Sequence, residues 1–154
     1  MSDVSWHEAA HAAATVWLRR PIAWVERYPG HFLPGETMGH CRAPIDDEVE
    51  PSQLAIALSG YLAEDRDGWP PAFQEARTER LEALGKVIEI LGIDEAAYDR
   101  AVELTREILA DPDFIRLHRT IARALAACPR LDEQAVQDLT LAAGIPPPEG
   151  VTTP

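Results

Sequence analysis

Three residues near the start of the chain have the types and the spacing of a metal-dependent hydrolytic site. The string HEAAH places His7 and His11 four residues apart, with Glu8 directly after the first histidine. On a helix, residues at this spacing project from one face about one turn apart, so both imidazoles can bind one metal ion. Zinc suits two neutral imidazoles and leaves positions for a third protein ligand and a water.

The same helical turn supplies a general base. The Glu8 carboxylate is rotated about 100° around the helix axis from His7, which places it beside a water on the metal rather than on the metal itself. The alternative is a helix whose histidines only pack or face solvent. Against this, three titratable groups interrupt an otherwise apolar helix, and each of them would need a partner if buried.

The elements that position this motif begin with a helix from Ser2 or Asp3 to Arg20, stopped by Pro21. Its sequence is apolar on nearly all sides, which predicts a buried helix. The segments IAWVERY and ETMGHCR flank the turn-rich PGHFLPG. Their composition predicts a β-hairpin or a small antiparallel sheet.

The remainder of the chain reads as helices. We expect them at about 52–65 and 73–91, from Asp94 to the stop at Asp111-Pro112, at about 113–127, and from the cap Asp132 to Gly144. The predicted fold class is α+β and mainly α-helical. A single domain covers residues 1–144, and the Pro-rich segment 145–154 is expected to be a disordered tail.

Composition narrows the functional classes. The 154 residues suit one domain, and 26 acidic against 14 basic side chains give a net charge of −12. Such a charge repels a phosphate backbone, so nucleic acid is not an expected partner. The two cysteines form no CxxC pair and read as reduced thiols. The sequence shows no signal peptide and no membrane span, and we expect a cytoplasmic protein without a membrane partner.

Beyond the motif, the order of the segments resembles a known family. HEAAHAAATVWLRRPIAWVERYPG is similar to the active-site helix and following strand of FtsH-type zinc metallopeptidases. ETMGHCRAP stands where that family has a second strand, and LAIALSGYLAED resembles its helix with a GGRAAEE-type sequence. The resemblance implies a zincin-like active-site helix, a small antiparallel sheet and a C-terminal helical bundle. Ala10 occupies a slot where family members often carry glycine.

The resemblance also implies a third zinc ligand, which in the family is usually an aspartate after the AE-containing helix. This chain has no aspartate between Asp67 and Asp94. The glutamates that could replace it are Glu75, Glu79 and Glu82. Alignment on the AE segment favours Glu79, whose carboxylate is chemically adequate for zinc. The alternative is that these glutamates belong to an ordinary solvated helix face.

We therefore expect a zinc-dependent hydrolase, specifically a metallopeptidase, in which His7, His11 and Glu79 bind Zn²⁺ and Glu8 activates the water. His40 is a candidate for contact with the substrate or an oxyanion. One alternative is a non-catalytic metal-binding or protein-interaction module that keeps a peptidase fold. Another is metal-dependent chemistry on a different bond, and another divalent ion could use the same ligands.

The sequence contains no GxxxxGK[ST] loop, so we do not expect this chain to unfold proteins with ATP by itself. Flexible peptides, protein tails or small amides are the expected substrates. Whether the chain forms a homo-oligomer or receives substrate from a separate partner stays open. His118 is expected to be a packing or helix-surface residue without a catalytic role.

Overall fold

The helices and strands are taken from a computed structural model that describes residues 3–29, 37–42, 51–67, 85, 89, 92 and 95–145. Within these ranges the helices are α1 (Asp3–Trp17), α2 (Pro51–Asp67), α3 (Glu95–Ala110), α4 (Pro112–Ala127) and α5 (Glu133–Ala142). The strands are β1 (Trp24–Pro29), β2 (Thr37–Arg42) and β3 (Arg130–Asp132). The described chain is mainly helical with a small antiparallel sheet, which confirms the α+β prediction at that level. None of these helices is both long and apolar enough to cross a membrane.

Helix α1 is buried at the centre of the fold, as its apolar sequence predicts. It packs against α2 and α4, and it also contacts β1 and β2. Its fully buried alanines are Ala9, Ala10, Ala12, Ala13 and Ala14. Such small side chains let neighbouring helices approach closely, and larger ones from α4 fill the remaining space. These are Phe114, Leu117, Ile121 and Leu125, all fully buried.

Helix α1 is ended by backbone hydrogen bonds rather than by Pro21. Arg19 has a φ of 60°, in the left-handed region. The Arg20 amide donates to the Thr15 carbonyl and the Arg19 amide to the Val16 carbonyl, both at 2.9 Å. This is the Schellman pattern of a helix end. It ends the helix at Trp17, three residues before the predicted end at Arg20.

The sheet covers one side of α1 in the order β2-β1-β3. Strand β1 pairs with β2 along six residues and with β3 along three, and both pairings are antiparallel. Val25 of β1 and Leu131 of β3 are buried in the core. The predicted pairing of the two N-terminal segments is confirmed. Strand β3 was not predicted, because three residues are too few to show a period of two.

Two helix starts follow from local capping. The sequence predicts the cap at Asp132, whereas it predicts Asp111-Pro112 only as the stop of the preceding helix. The Asp111 side chain accepts hydrogen bonds from the amides of Asp113 and Phe114, with Pro112 in the first turn of α4. The Asp132 side chain accepts from the Ala135 amide at the start of α5. Both aspartates satisfy backbone donors that the first turn of a helix leaves free.

The end of α5 repeats the Schellman pattern with glycine. Gly144 has a φ of 80°, and the Ile145 amide donates to the Thr140 carbonyl at 3.2 Å. Ile145 also packs against the core. Residues 146–154, which form the rest of the predicted tail, lie outside the described residues. Of the helix predicted over 73–91, only residues 85 and 89 are described, and both are helical.

Arginines from other elements cap three helix ends. The last turns of α3, α4 and α5 contain no basic residue. Guanidinium groups instead donate to their terminal carbonyls at 2.6 to 2.8 Å. The pairs are Arg66 with Leu109, Arg27 with Leu125 and Ala126, and Arg116 with Ala143. A positive charge at this end also complements the helix dipole, so these contacts tie the helices together.

Candidate metal centre

The two histidines of the HEAAH motif face each other on α1. Their Nε2 atoms lie 3.0 Å apart, and their ring planes are inclined at 72°. His7 is buried and His11 is half-buried. The spacing of four residues therefore produces the close pair of imidazoles that the sequence indicates.

Helix α2 holds His7 through a carboxylate. The Nδ1 atom of His7 makes a short contact with Oε1 of Glu64, and both side chains are almost completely buried. A carboxylate oxygen accepts, so Nδ1 is the ring nitrogen that carries the proton. A carboxylate behind a histidine in this way fixes the tautomer and raises the basicity of the other ring nitrogen.

Helix α2 holds His11 through its backbone. The His11 Nδ1 atom donates to the carbonyl of Ile56 at 2.7 Å. The hydroxyl of Ser59 donates to the same carbonyl at 2.7 Å and lies 3.3 Å from His11 Nδ1. Because a carbonyl can only accept, Nδ1 of His11 also carries the proton. The partners thus assign both histidines the same tautomer.

These tautomers leave two Nε2 lone pairs directed into the same small space. Two acceptors at 3.0 Å repel each other unless a proton or a metal ion lies between them. Zinc–nitrogen bonds of 2.0 to 2.1 Å in a tetrahedral site would separate the two nitrogens by about 3.3 Å. The donor type, the tautomers and the spacing therefore fit a zinc ion for two of its protein ligands.

The α2 contacts come from one stripe of that helix. Ile56, Gly60 and Glu64 are each four residues apart, so they share a face. Glu64 meets His7 and Ile56 meets His11, which means that α1 and α2 run antiparallel at the site. Gly60 lies between the two contacts, opposite the Nε2 atoms.

Glu8 and Tyr61 complete the described surroundings. Glu8 follows His7 on α1 and is buried, with 7% of its surface exposed. The Tyr61 ring meets the His7 ring edge-on, with centroids 4.9 Å apart, and the His11 ring at 6.3 Å. An aromatic ring therefore packs against the imidazole pair. The candidate base, Glu8, is next to His7 in the sequence and is shielded from bulk water.

The remaining predicted site residues are not placed by the structure. Glu79, and with it Glu75 and Glu82, lie outside the described residues. The backbone of His40 lies in β2 opposite Glu26 of β1, and its side chain is outside the description. Among the residues that are described, no His, Cys, Asp or Glu joins the two histidines in a group of three.

Glu64 is the site residue that sequence reasoning missed. A signal was present, since Glu64 directly follows the apolar run LAIALSGYLA and lies four residues after Gly60. A buried carboxylate needs a partner, so a glutamate at such a position predicts a contact with a donor on another element. Which donor it meets depends on how α2 packs on α1, and the local pattern does not specify that.

His118 lies behind the motif turn rather than in the site. It is fully buried on α4, and its Nε2 donates to the Trp6 carbonyl at 2.8 Å, while its Nδ1 lies 3.4 Å from an Arg66 nitrogen. Burial lowers the pKa of His118 to about 4, and the charge of Arg66 acts in the same direction. His118 is thus a neutral packing residue, one of the two roles expected for it.

Comparison of the sequence with protein-family models and with curated proteins found no match to either. The resemblance to FtsH-type metallopeptidases therefore stays a prediction, and the geometry of the imidazole pair carries the functional argument.

Proposed function

We propose that this protein is a zinc-dependent hydrolase, specifically a metallopeptidase with a zincin-like active-site helix. The observation that carries the proposal is the 3.0 Å approach of His7 Nε2 and His11 Nε2, with both Nδ1 atoms committed to α2. Histidine pairs that only pack have no need for both tautomers to be fixed in this direction. A metal site does need both tautomers to be fixed, because the ligating nitrogen must be unprotonated.

His7 and His11 would hold the zinc, with Glu79 as the proposed third ligand. A bound zinc ion supplies Lewis acidity, which polarises a carbonyl and makes a water molecule easier to deprotonate. Glu64 keeps His7 oriented and contributes a compensating negative charge from behind the ring. The Ile56 carbonyl orients His11 in the same way, without a charge.

Glu8 is the proposed proton carrier. Its carboxylate takes a proton from the attacking water while the water oxygen bonds to the carbonyl carbon of the scissile amide. It then gives that proton to the amide nitrogen, so that the carbon–nitrogen bond breaks and a neutral amine leaves. A buried position favours this role, since few bulk waters compete for the carboxylate.

The sheet supports the choice of peptides as substrates. Among the described strands, β2 stands at an edge in the order β2-β1-β3, and it packs against the helix that carries the motif. An edge strand can pair with an extended peptide through its backbone, with His40 of β2 as a candidate contact to the substrate. Flexible peptides and protein tails in the cytoplasm are the proposed substrates.

Replacement of Glu8 tests the enzyme against its alternatives. Glu8→Gln should keep the zinc content of the wild type and lose at least about 100-fold in cleavage rate, because the amide cannot act as a base. Glu107→Gln, at an exposed position of α3, is the matched control and should cleave normally. A mixture of unstructured peptides, followed by mass spectrometry, provides the readout.

The outcomes separate the candidate functions. Equal zinc with cleavage in the wild type alone supports the peptidase. Zinc binding without cleavage in any variant favours a non-catalytic metal-binding module, and Glu8-dependent hydrolysis of other amides or esters alone favours different hydrolytic chemistry. A wild type that cleaves and a Glu8→Gln variant that cleaves equally well would contradict the proposed role of Glu8.

A further inference from the structure

Helix α2 crosses the histidine pair at a glycine. A Cβ atom built on Gly60 would lie 2.6 Å from Nε2 of His11 and 2.7 Å from both Nε2 and Cε1 of His7. Contacts below 3.0 Å between a carbon and these ring atoms lie well inside van der Waals separation. A methyl group at position 60 therefore cannot coexist with the two imidazoles as they stand.

Neither imidazole can rotate away from position 60 without losing a hydrogen bond. His7 is tied to Glu64 and His11 to the Ile56 carbonyl, one turn to either side of Gly60 on the same stripe. Rotating either ring away from a methyl group would break its Nδ1 hydrogen bond. In the case of Glu64, this would leave a buried carboxylate without its histidine.

Helix α2 cannot easily move away from α1 either. Its neighbours Ser59 and Ala63 are buried, as are Gly60 and Glu64 of the stripe, so this part of α2 is packed against the rest of the fold. Moving the helix outward would open space beside the alanines of α1, and cavities of this kind destabilise a core.

Helix propensity alone favours alanine over glycine at position 60. Glycine inside a helix is less favourable than alanine. If only the helix mattered, alanine at position 60 would stabilise the protein. The structure thus makes opposite predictions for Gly60→Ala according to whether the imidazoles are present.

We propose that Gly60 is a positioning residue of the metal site, in that its lack of a side chain keeps the Nε2 side of the histidine pair open for the ion. Glu64 and Ile56 hold the rings from the Nδ1 side, and Gly60 clears the opposite side. The inference rests on the proposed function, since it concerns the same zinc site. It makes Gly60 as necessary for metal binding as a residue that contacts a ligand directly.

The first test compares Gly60→Ala with Gly85→Ala. Gly85 is also helical, but it is exposed, and a Cβ there would meet none of the described residues within 4 Å. Zinc affinity is measured by competition with a chromogenic chelator, and cobalt absorption reports the ligand geometry. Gly60→Ala should weaken zinc binding by on the order of 100-fold or more and lose the cobalt bands. Gly85→Ala should bind zinc like the wild type.

A second measurement decides the matter if Gly60→Ala also unfolds the protein. Gly60→Ala is introduced into a background in which the contacts are removed, namely His7→Ala, His11→Ala and Glu64→Gln. Without the imidazoles, the alanine should raise the melting temperature of the metal-free protein, whereas in the wild-type background it should lower it. This change of sign is a coupling that a general packing defect would not produce.

The two ideas can fail separately. Zinc binding by Gly60→Ala equal to that of the wild type overturns the inference about Gly60 and leaves the proposed function intact. A stability loss of the same size in the background without histidines also overturns it. A wild type that binds no zinc overturns the proposed function, and with it the role assigned to Gly60.

Discussion

The behaviour of a histidine ligand depends on what holds its other ring nitrogen. His7 is held by the Glu64 carboxylate, whereas His11 is held by the neutral Ile56 carbonyl. Hydrogen bonds to an ionised acceptor are roughly twice as strong as neutral ones. The two proposed ligands are therefore unequal, and we expect the contact with Glu64 to contribute more to metal affinity than the contact with Ile56.

This inequality gives a prediction for Glu64. Glu64→Gln keeps an oxygen that can accept from His7 but removes the charge, and it should weaken zinc binding by about 10- to 100-fold. Isothermal titration with zinc checks this, and Glu103→Gln, at an exposed position of α3, is the control. Equal affinities for the wild type and Glu64→Gln would show that the carboxylate does not support the metal.

At the residue scale, the sequence indicates the parts of the site that share one helical turn. The pairing of His7 with His11 follows from a spacing of four, because helix geometry alone brings these side chains together. Glu64 and Gly60 could not be assigned in this way, since they join the site only through the packing of α2 on α1. The proposed ligand Glu79 depends on contacts between segments in the same way.

At the scale of elements, two helices end in the same pattern with different residues. Helix α5 has Gly144 in the left-handed position, and α1 has Arg19 there, with a φ of 60°. A side chain in that conformation costs roughly 1 to 2 kcal/mol relative to the right-handed one, and glycine avoids most of this cost. The end of α1 thus has the hydrogen bonds of a Schellman motif, but the left-handed conformation of Arg19 lowers the stability of the fold.

Arg19→Gly should consequently stabilise the protein. We expect a gain of about 1 kcal/mol in the free energy of unfolding, measured with urea, because the relief of strain exceeds the added entropy of the unfolded chain. Arg19→Ala is the matched control: it removes the same side chain but keeps the backbone cost. If the two variants proved equally stable, the left-handed conformation of residue 19 would not be the source of the effect.

The elements that were predicted correctly are those with local causes. Asp111 and Asp132 start helices by accepting hydrogen bonds from amides two or three residues further on, so the sequence window contains the whole interaction. Strand β3 has no such cause. It exists because β1, more than 100 residues away in the chain, pairs with it, and because Leu131 is buried there.

At the scale of the whole molecule, a polar network joins four helices behind the candidate metal site. The Trp6 indole donates to the Asp67 carboxylate, which also accepts from Arg66. Arg66 reaches the carbonyl of Leu109 and lies beside His118, which donates to the Trp6 carbonyl. The network holds the first turns of α1, directly beside His7, against α2, α3 and α4.

Stability should depend on pH through His118. Its pKa falls from 6.5 to about 4 on folding because burial disfavours the charged imidazolium. Between these values the unfolded chain binds a proton that the folded chain does not. Stability is therefore lost as the pH falls from about 6.5 towards 4, by about 2 kcal/mol between pH 7 and pH 5.

Urea unfolding of the metal-free protein at pH 7 and pH 5 measures this loss. His118→Gln keeps an amide donor near the Trp6 carbonyl but does not titrate. The variant should therefore lose less stability than the wild type when the pH falls from 7 to 5. Because other groups titrate identically in both proteins, the difference between the two losses belongs to His118. Equal losses in the wild type and the variant would contradict a neutral, buried His118.

The central claim is that His7 and His11 bind one metal ion together. The most direct measurement is a crystal structure of the zinc-soaked protein, with anomalous diffraction recorded just above and just below the zinc absorption edge. We expect one strong peak, present only above the edge, about 2.0 to 2.1 Å from Nε2 of both histidines, with a carboxylate as a further ligand. A soaked crystal with no peak between the two imidazoles would contradict it.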